Sequence, residues 1–140
     1  MAPLGAGKDG VVFSTSHGTA LKFHANASVY RRERDAYLRL REKRLGIIHG
    51  FNVPILLSHH DSDHAIEISI VRPPYLLDFA SVRVDEEVTF DSDAESFREQ
   101  QIIDLFGERA TDVFLLLADL REKHGVDMLD ARPSNINFGD

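Results

Sequence analysis

The chain has 140 residues, 43% hydrophobic and 28% charged, enough for one ordinary core with a small satellite lobe. It contains no cysteine, which excludes disulfides and thiolate metal sites and is compatible with a reducing compartment. Its formal net charge of −7 at pH 7 argues against broad binding to a nucleic-acid backbone, which relies on Lys and Arg displacing counterions from phosphates.

The opening stretch, MAPLGAGKDG, has neither a basic n-region nor an apolar h-region, and the longest apolar run, around VFLLLA, is too short to span a bilayer. A cytoplasmic protein without membrane attachment is therefore expected. Two β-rich runs follow, Val11 to Ser14 and Thr19 to His24, with SHG as a hairpin turn between them. Ser28 offers an N-cap to VYRRERDAYLRLREKR, a charged helix whose apolar side is traced by Tyr30, Tyr37, Leu38 and Leu45. After Gly46 and Gly50, VPILLSH and AIEISIV read as a second hairpin turning through HDSD, and Arg72-Pro73-Pro74 stops its second strand.

Beyond the prolines, YLLDFAS reads as one or two helical turns. The acidic stretch VDEEVTFDSDAE reads as a solvated connection between two lobes, with a partner surface as the alternative for Asp85 to Glu99. Phe97, Ile102, Ile103 and Phe106 support a helix up to Gly107. Thr111 would cap another, in which Val113, Leu116, Leu117 and Leu120 recur until Gly125 stops it. Phe79, Phe97, Phe106 and Phe114 are expected in the core, and neither repeats nor low-complexity tracts occur.

Three places carry chemistry. In GAGKDGVV, Gly5, Gly7 and Gly10 precede Val12, and glycines between two strands let a backbone close over a phosphate chain where a Cβ would collide; a glycine-rich hairpin without a ligand is the alternative. Lys22 stands in the apolar run TALKF, placed either as a solvated edge residue or to reach nucleotide phosphates, and Glu33 on the following helix can hold it, with Tyr37 one turn on orienting that face inward. In MLDARPSNINFGD, Asp130 and Asn135 offer hard oxygen donors suited to Mg²⁺, and Arg132 lowers the cost of concentrating negative charge there; an Asx-turn closed by an Arg–Asp pair is the alternative. The turn holding His59, His60, Asp61, Asp63 and His64 has metal-ligating residue types, but reads as an exposed polar turn.

These segments, in this order, resemble the protein-kinase-like superfamily: GAGKDGVV the glycine-rich loop, TALK the strand lysine, RRERDAYLRL the helix C glutamate, IEISIVRPP the fifth strand and hinge, and LDARPSNI the catalytic loop. The last follows the family's D-x-K-P-x-N spacing, with arginine for lysine. The resemblance implies an α+β fold: an N-lobe of antiparallel sheet plus helix C over residues 1–74, then a minimal helical part of the C-lobe over 75–140, ending at the catalytic loop. It further implies a nucleotide partner, ATP with Mg²⁺, held by Gly5, Gly7, Gly10, Val12 and Lys22, with adenine against the main chain near Val71 to Pro74, where Pro73 and Pro74 lack an N–H. By the same resemblance Glu33 fixes Lys22, Asp130 accepts the proton of a substrate hydroxyl, Arg132 neutralises the moving phosphoryl group and Asn135 helps hold the metal.

Two departures stand out. Met128 occupies the place of the family's histidine, and the D-F-G aspartate is expected after a further hairpin, whereas the sequence stops five residues past Asn135. Asp140, in FGD, is too close to Asn135 to be expected in that role. The expectation is either a piece of a longer protein or a minimal version lacking substrate platform and activation segment. Two functions remain open: an ATP-dependent kinase-like phosphotransferase, or a pseudokinase-type interaction module that associates with a protein partner or as a homodimer through its incomplete helical part.

Overall fold

The computed structural model describes residues 2–7, 10–43, 46–77, 79, 81–86 and 89–139. The first hairpin pairs β1 (Ala2–Gly7) with β2 (Gly10–Ser14), and β2 with β3 (Thr19–His24). The second hairpin, β6 (Leu56–His60) and β7 (Ala65–Ser69), joins it by pairing β7 with β3. The result is a five-stranded antiparallel sheet in the order β1-β2-β3-β7-β6. Between the hairpins runs α1 (Ala27–Glu42), capped by Asn26, whose side chain accepts the Val29 N–H at 2.9 Å. Ser28, the expected cap, instead lies inside the first turn; the extended backbone of Asn26 places its amide oxygen over that turn's free N–H groups.

The helix buries Tyr30, Glu33, Tyr37 and Leu40, spaced as one stripe. A carboxylate thus sits in the middle of an apolar face. Arg39 spans from this helix to Asp85 and to the carbonyl of His124, 3.0 Å away, tying it to the other half of the chain.

That half is built on short strands: β4 (Ile47–Ile48), β5 (Phe51–Asn52), β8 (Tyr75–Leu76), β9 (Val82–Val84), β10 (Val126–Met128) and β11 (Ile136–Asn137). One small sheet has the order β11-β8-β5-β4, and β9 pairs with β10. Here the sequence reading needs correction. Tyr75 and Leu76 form a strand rather than a helical turn, because Leu76 is fully buried and pairs with Ile136. Part of the supposed acidic connection is structured too: Val84 ends β9, and Asp91 caps α2 (Ser92–Phe106) by accepting the Ala94 N–H at 2.7 Å.

Of α2, only Ile102 is buried, and Phe97 is 69% exposed. Five residues turn a helix by about 140° beyond one full turn, so Phe97 and Ile102 cannot share a face. Thr111 is not a cap either; the chain enters α3 (Ala110–His124) through a 3₁₀ turn at Gly107–Arg109 and uses no capping side chain. Val113, Leu116 and Leu120 are fully buried and join Tyr37, Phe79, Val126 and Ile136 in the core. Phe106 and Phe114 pack against that core while half-buried. Among the described residues no helix is long and apolar enough to cross a membrane.

Gly125 ends α3 in the left-handed region, φ 68°, and a Cβ there would lie 2.6 Å from Asp85 Oδ1 and 2.8 Å from an Arg39 guanidinium nitrogen. Gly125→Ala is expected to lose about 1–2 kcal/mol from the backbone conformation and to displace the Arg39–Asp85 pair as well. Urea unfolding of the two proteins measures the sum.

Candidate functional site

Side chains alternate along a strand, so Lys22 and His24 leave β3 on the same face, under α1. Both reach Glu33: Lys22 Nζ and His24 Nε2 each lie 2.7 Å from Oε1. The other oxygen, Oε2, accepts the backbone N–H of Phe79 at 2.6 Å. One turn along the helix, the Tyr37 ring meets the Phe79 ring edge-on, with centroids 4.9 Å apart. Burial pushes the Glu33 carboxyl upward, but hydrogen bonds from His24 and Lys22 and their charges outweigh it and hold the group below the ordinary glutamate value.

Lys22 also borders an apolar cavity of about 280 Å³ lined by Leu4, Val12, Ala20, Ile68, Val71 and Leu77. Gly5 stands opposite Val12 in the β1–β2 ladder, and a Cβ built on it would meet nothing within 4 Å. Gly10 is different. A Cβ there would lie 2.0 Å from the Phe23 carbonyl oxygen, so the close approach of β2 to β3 alone demands glycine. Gly7 pairs with Gly10 at the end of the hairpin, and residues 8–9 lie outside the described residues. Val71 lies two residues past Ser69, where the β3–β7 ladder ends, so its backbone takes no part in that pairing.

The loop after β10 is closed on itself. Arg132 donates from Nε to Asp130 Oδ1 at 2.7 Å with a second guanidinium nitrogen also 2.7 Å from that oxygen, and Asn135, 3% exposed, donates from Nδ2 to the Asp130 carbonyl at 2.9 Å. Met128 is buried in β10 just before it. A polar cavity of about 350 Å³ opens beside Asp130, lined by Arg32, Ser81, Arg83 and Arg132.

Lys22 and Glu33 are thus in direct contact, as are Asp130, Arg132 and Asn135. What joins the two groups is a segment that the sequence suggested only as a helical turn or two, with Phe79 in the core: Leu77 donates its N–H to the Asn135 carbonyl at 2.9 Å, and Phe79 donates to Glu33. His24 was missed as well, although the two-residue spacing from Lys22 places it on the same side of the strand.

At the other end of α1, Asp61 is held at about 2 by the Tyr30 hydroxyl, His59 and Arg34, while burial and Asp61 push Tyr30 up to about 12. Among the described residues no three His, Asp or Glu side chains converge as a metal site, the His59 to His64 turn included. Asp140 lies outside the described residues. No protein-family model and no curated protein matches the chain.

A glutamate whose carboxyl is depressed in the folded state stabilises at pH values above its unfolded titration, and that stability is lost as pH falls through the lowered folded value. Glu33→Gln, which removes the buried anion that Lys22 and His24 share, is expected to cost about 3–5 kcal/mol at neutral pH. Denaturation midpoints measured downward from pH 6 should show the gap between the two proteins closing on acidification.

Proposed function

We propose that this chain binds ATP with Mg²⁺ in the cleft bordered by β1, β2 and Lys22, and that it is a protein-kinase-like phosphotransferase acting on a hydroxyl acceptor. The observation that carries the reading is the Lys22–Glu33 pair beside an apolar cavity, with the Asp130–Asn135 loop anchored to the same cavity through Leu77. The five-stranded antiparallel sheet with a glutamate-bearing helix supports the kinase-like N-lobe.

In this reading the apolar cavity takes the adenine ring, with Val71, one of its lining residues, beside it. Gly5 leaves room for the phosphate chain to pass close to β1, and Lys22 turns its ammonium on the phosphates. The acceptor oxygen attacks the terminal phosphorus as Asp130 takes its proton, and the bond to the bridging oxygen breaks to release ADP. Arg132 spreads positive charge over the transferring group, and the arginines beside Asp130 favour an acceptor that is itself anionic. Mg²⁺, when bound, neutralises charge on the phosphates. Because it keeps water and phosphate oxygens in its shell, one or two protein oxygens suffice. Asn135 supplies one.

A second reading, an interaction module, has its own support. Phe97, Ile103, Leu105 and Leu115 are all exposed on α2 and α3, and Phe97 and Leu105, about 80° apart around α2, share a side of the kind that a protein partner or a second copy covers.

Calorimetric titration of ATP with and without Mg²⁺ tests the first reading. Saturable, Mg²⁺-dependent binding is expected, weakened by Lys22→Ala and Asn135→Ala. Gly5→Ala should weaken binding while leaving thermal stability unchanged. A folded protein that takes up no ATP at about 1 mM, the upper end of ordinary substrate affinities, would sink the proposal, and self-association in sedimentation would then favour the second reading.

A further inference from the structure

Two basic side chains meet on Glu33 Oε1, and they differ in freedom. The Lys22 side chain is 13% exposed and borders the apolar cavity, whereas that of His24 is wholly enclosed. The His24 ring is fixed from three directions: Nε2 on Glu33 at 2.7 Å, Nδ1 on the His64 carbonyl oxygen at 3.0 Å, and its edge against the Tyr30 ring, centroids 5.6 Å apart. Both polar neighbours are acceptors. A carbonyl oxygen has no proton to give and an ionised carboxylate has none either, so each ring nitrogen must donate. An imidazole that donates from both nitrogens is a cation.

A lysine that serves a nucleotide shares its ammonium with phosphate oxygens. As it turns to them its hold on Glu33 weakens, and a carboxylate with no exposure at all cannot be left without a cation. We propose that His24 is a positioning residue: as an imidazolium it keeps Glu33 ionised and in place, so that Lys22 is released to engage the nucleotide. This rests on the ATP-binding reading above.

The consequence is that the charge of His24 matters to nucleotide affinity. With a neutral side chain in its place, Glu33 has to be balanced by Lys22, which is then drawn back from the phosphates.

The test uses the intact chain and His24→Gln, a neutral side chain that can still donate to Glu33. Nitrogen-15 NMR of the wild-type imidazole at pH 6 should show both His24 nitrogens protonated. MgATP affinity at pH 6 should be about tenfold weaker in His24→Gln than in the wild type, the worth of one neighbouring charge. In thermal unfolding without nucleotide, Lys22→Met and His24→Gln combined should lose more than the sum of the two single changes. A wild-type ring with one bare nitrogen at pH 6, or equal MgATP affinities in wild type and variant, overturns the role of His24 while leaving ATP binding standing. Absence of ATP binding in the wild type overturns the nucleotide reading and the positioning role with it, although the NMR and thermal results still report whether His24 is the cation that holds Glu33.

Discussion

Everything in the site converges on one buried carboxylate. Glu33 has no exposure to water and is nevertheless ionised, which is tolerable only because both oxygens are occupied: Oε1 by Lys22 and His24, Oε2 by the Phe79 N–H. Each partner comes from a different part of the chain. The carboxylate therefore sets the position of α1 over β3 and, through Phe79, the position of the segment that follows β8. A buried charge is a poor source of net stability, but it tolerates few alternative arrangements of its partners. Tyr37 repeats the constraint in apolar form by packing on the Phe79 ring one turn along.

A second constraint places the Asp130–Asn135 loop. Residues 75–84 supply β8 and β9, and residues 126–137 supply β11 and β10 to pair with them, so α2 and α3 are an excursion between strands that must return to one another. The loop is fixed by those pairings on either side and by the Leu77–Asn135 hydrogen bond, not by the helices. Residues far apart in sequence are brought to one place by a few backbone bonds and a well-buried core: Leu76, Leu116, Val126 and Ile136 are all almost fully shielded. A segment earlier in the chain, β8 with Leu77, thus stands beside that loop.

How much of this was legible in the sequence depended on whether the signal was local. The strand from Thr19 to His24, the hairpin through residues 61–63, the helix bearing Glu33 and the stop at Gly125 each announce themselves through alternation, helical spacing or a left-handed glycine, and each is there. Two- and three-residue strands carry no periodic signal of their own. Tyr75–Leu76 and Val82–Val84 exist because distant residues pair with them, so YLLDFAS was misread and its role in joining the two groups was overlooked. Phe97 was assigned to the core on residue type, while helical phase turns it outward. The Lys22–Glu33 contact followed from the pattern. The third partner, His24, and the reason Gly10 must be glycine both required the sheet, since one depends on burial and the other on the Phe23 carbonyl across the ladder.

The central claim is that the glycine-bearing hairpin and the Asp130–Asn135 loop serve one nucleotide. Amide NMR spectra recorded with Mn²⁺ and ATP test it most directly, because the paramagnetic ion broadens signals only near where it sits. The account predicts attenuation at Gly5, Lys22, Leu77 and Asn135 together, with the His59 to His64 turn untouched. Broadening confined to one of the two groups, or centred on that histidine turn, would contradict it.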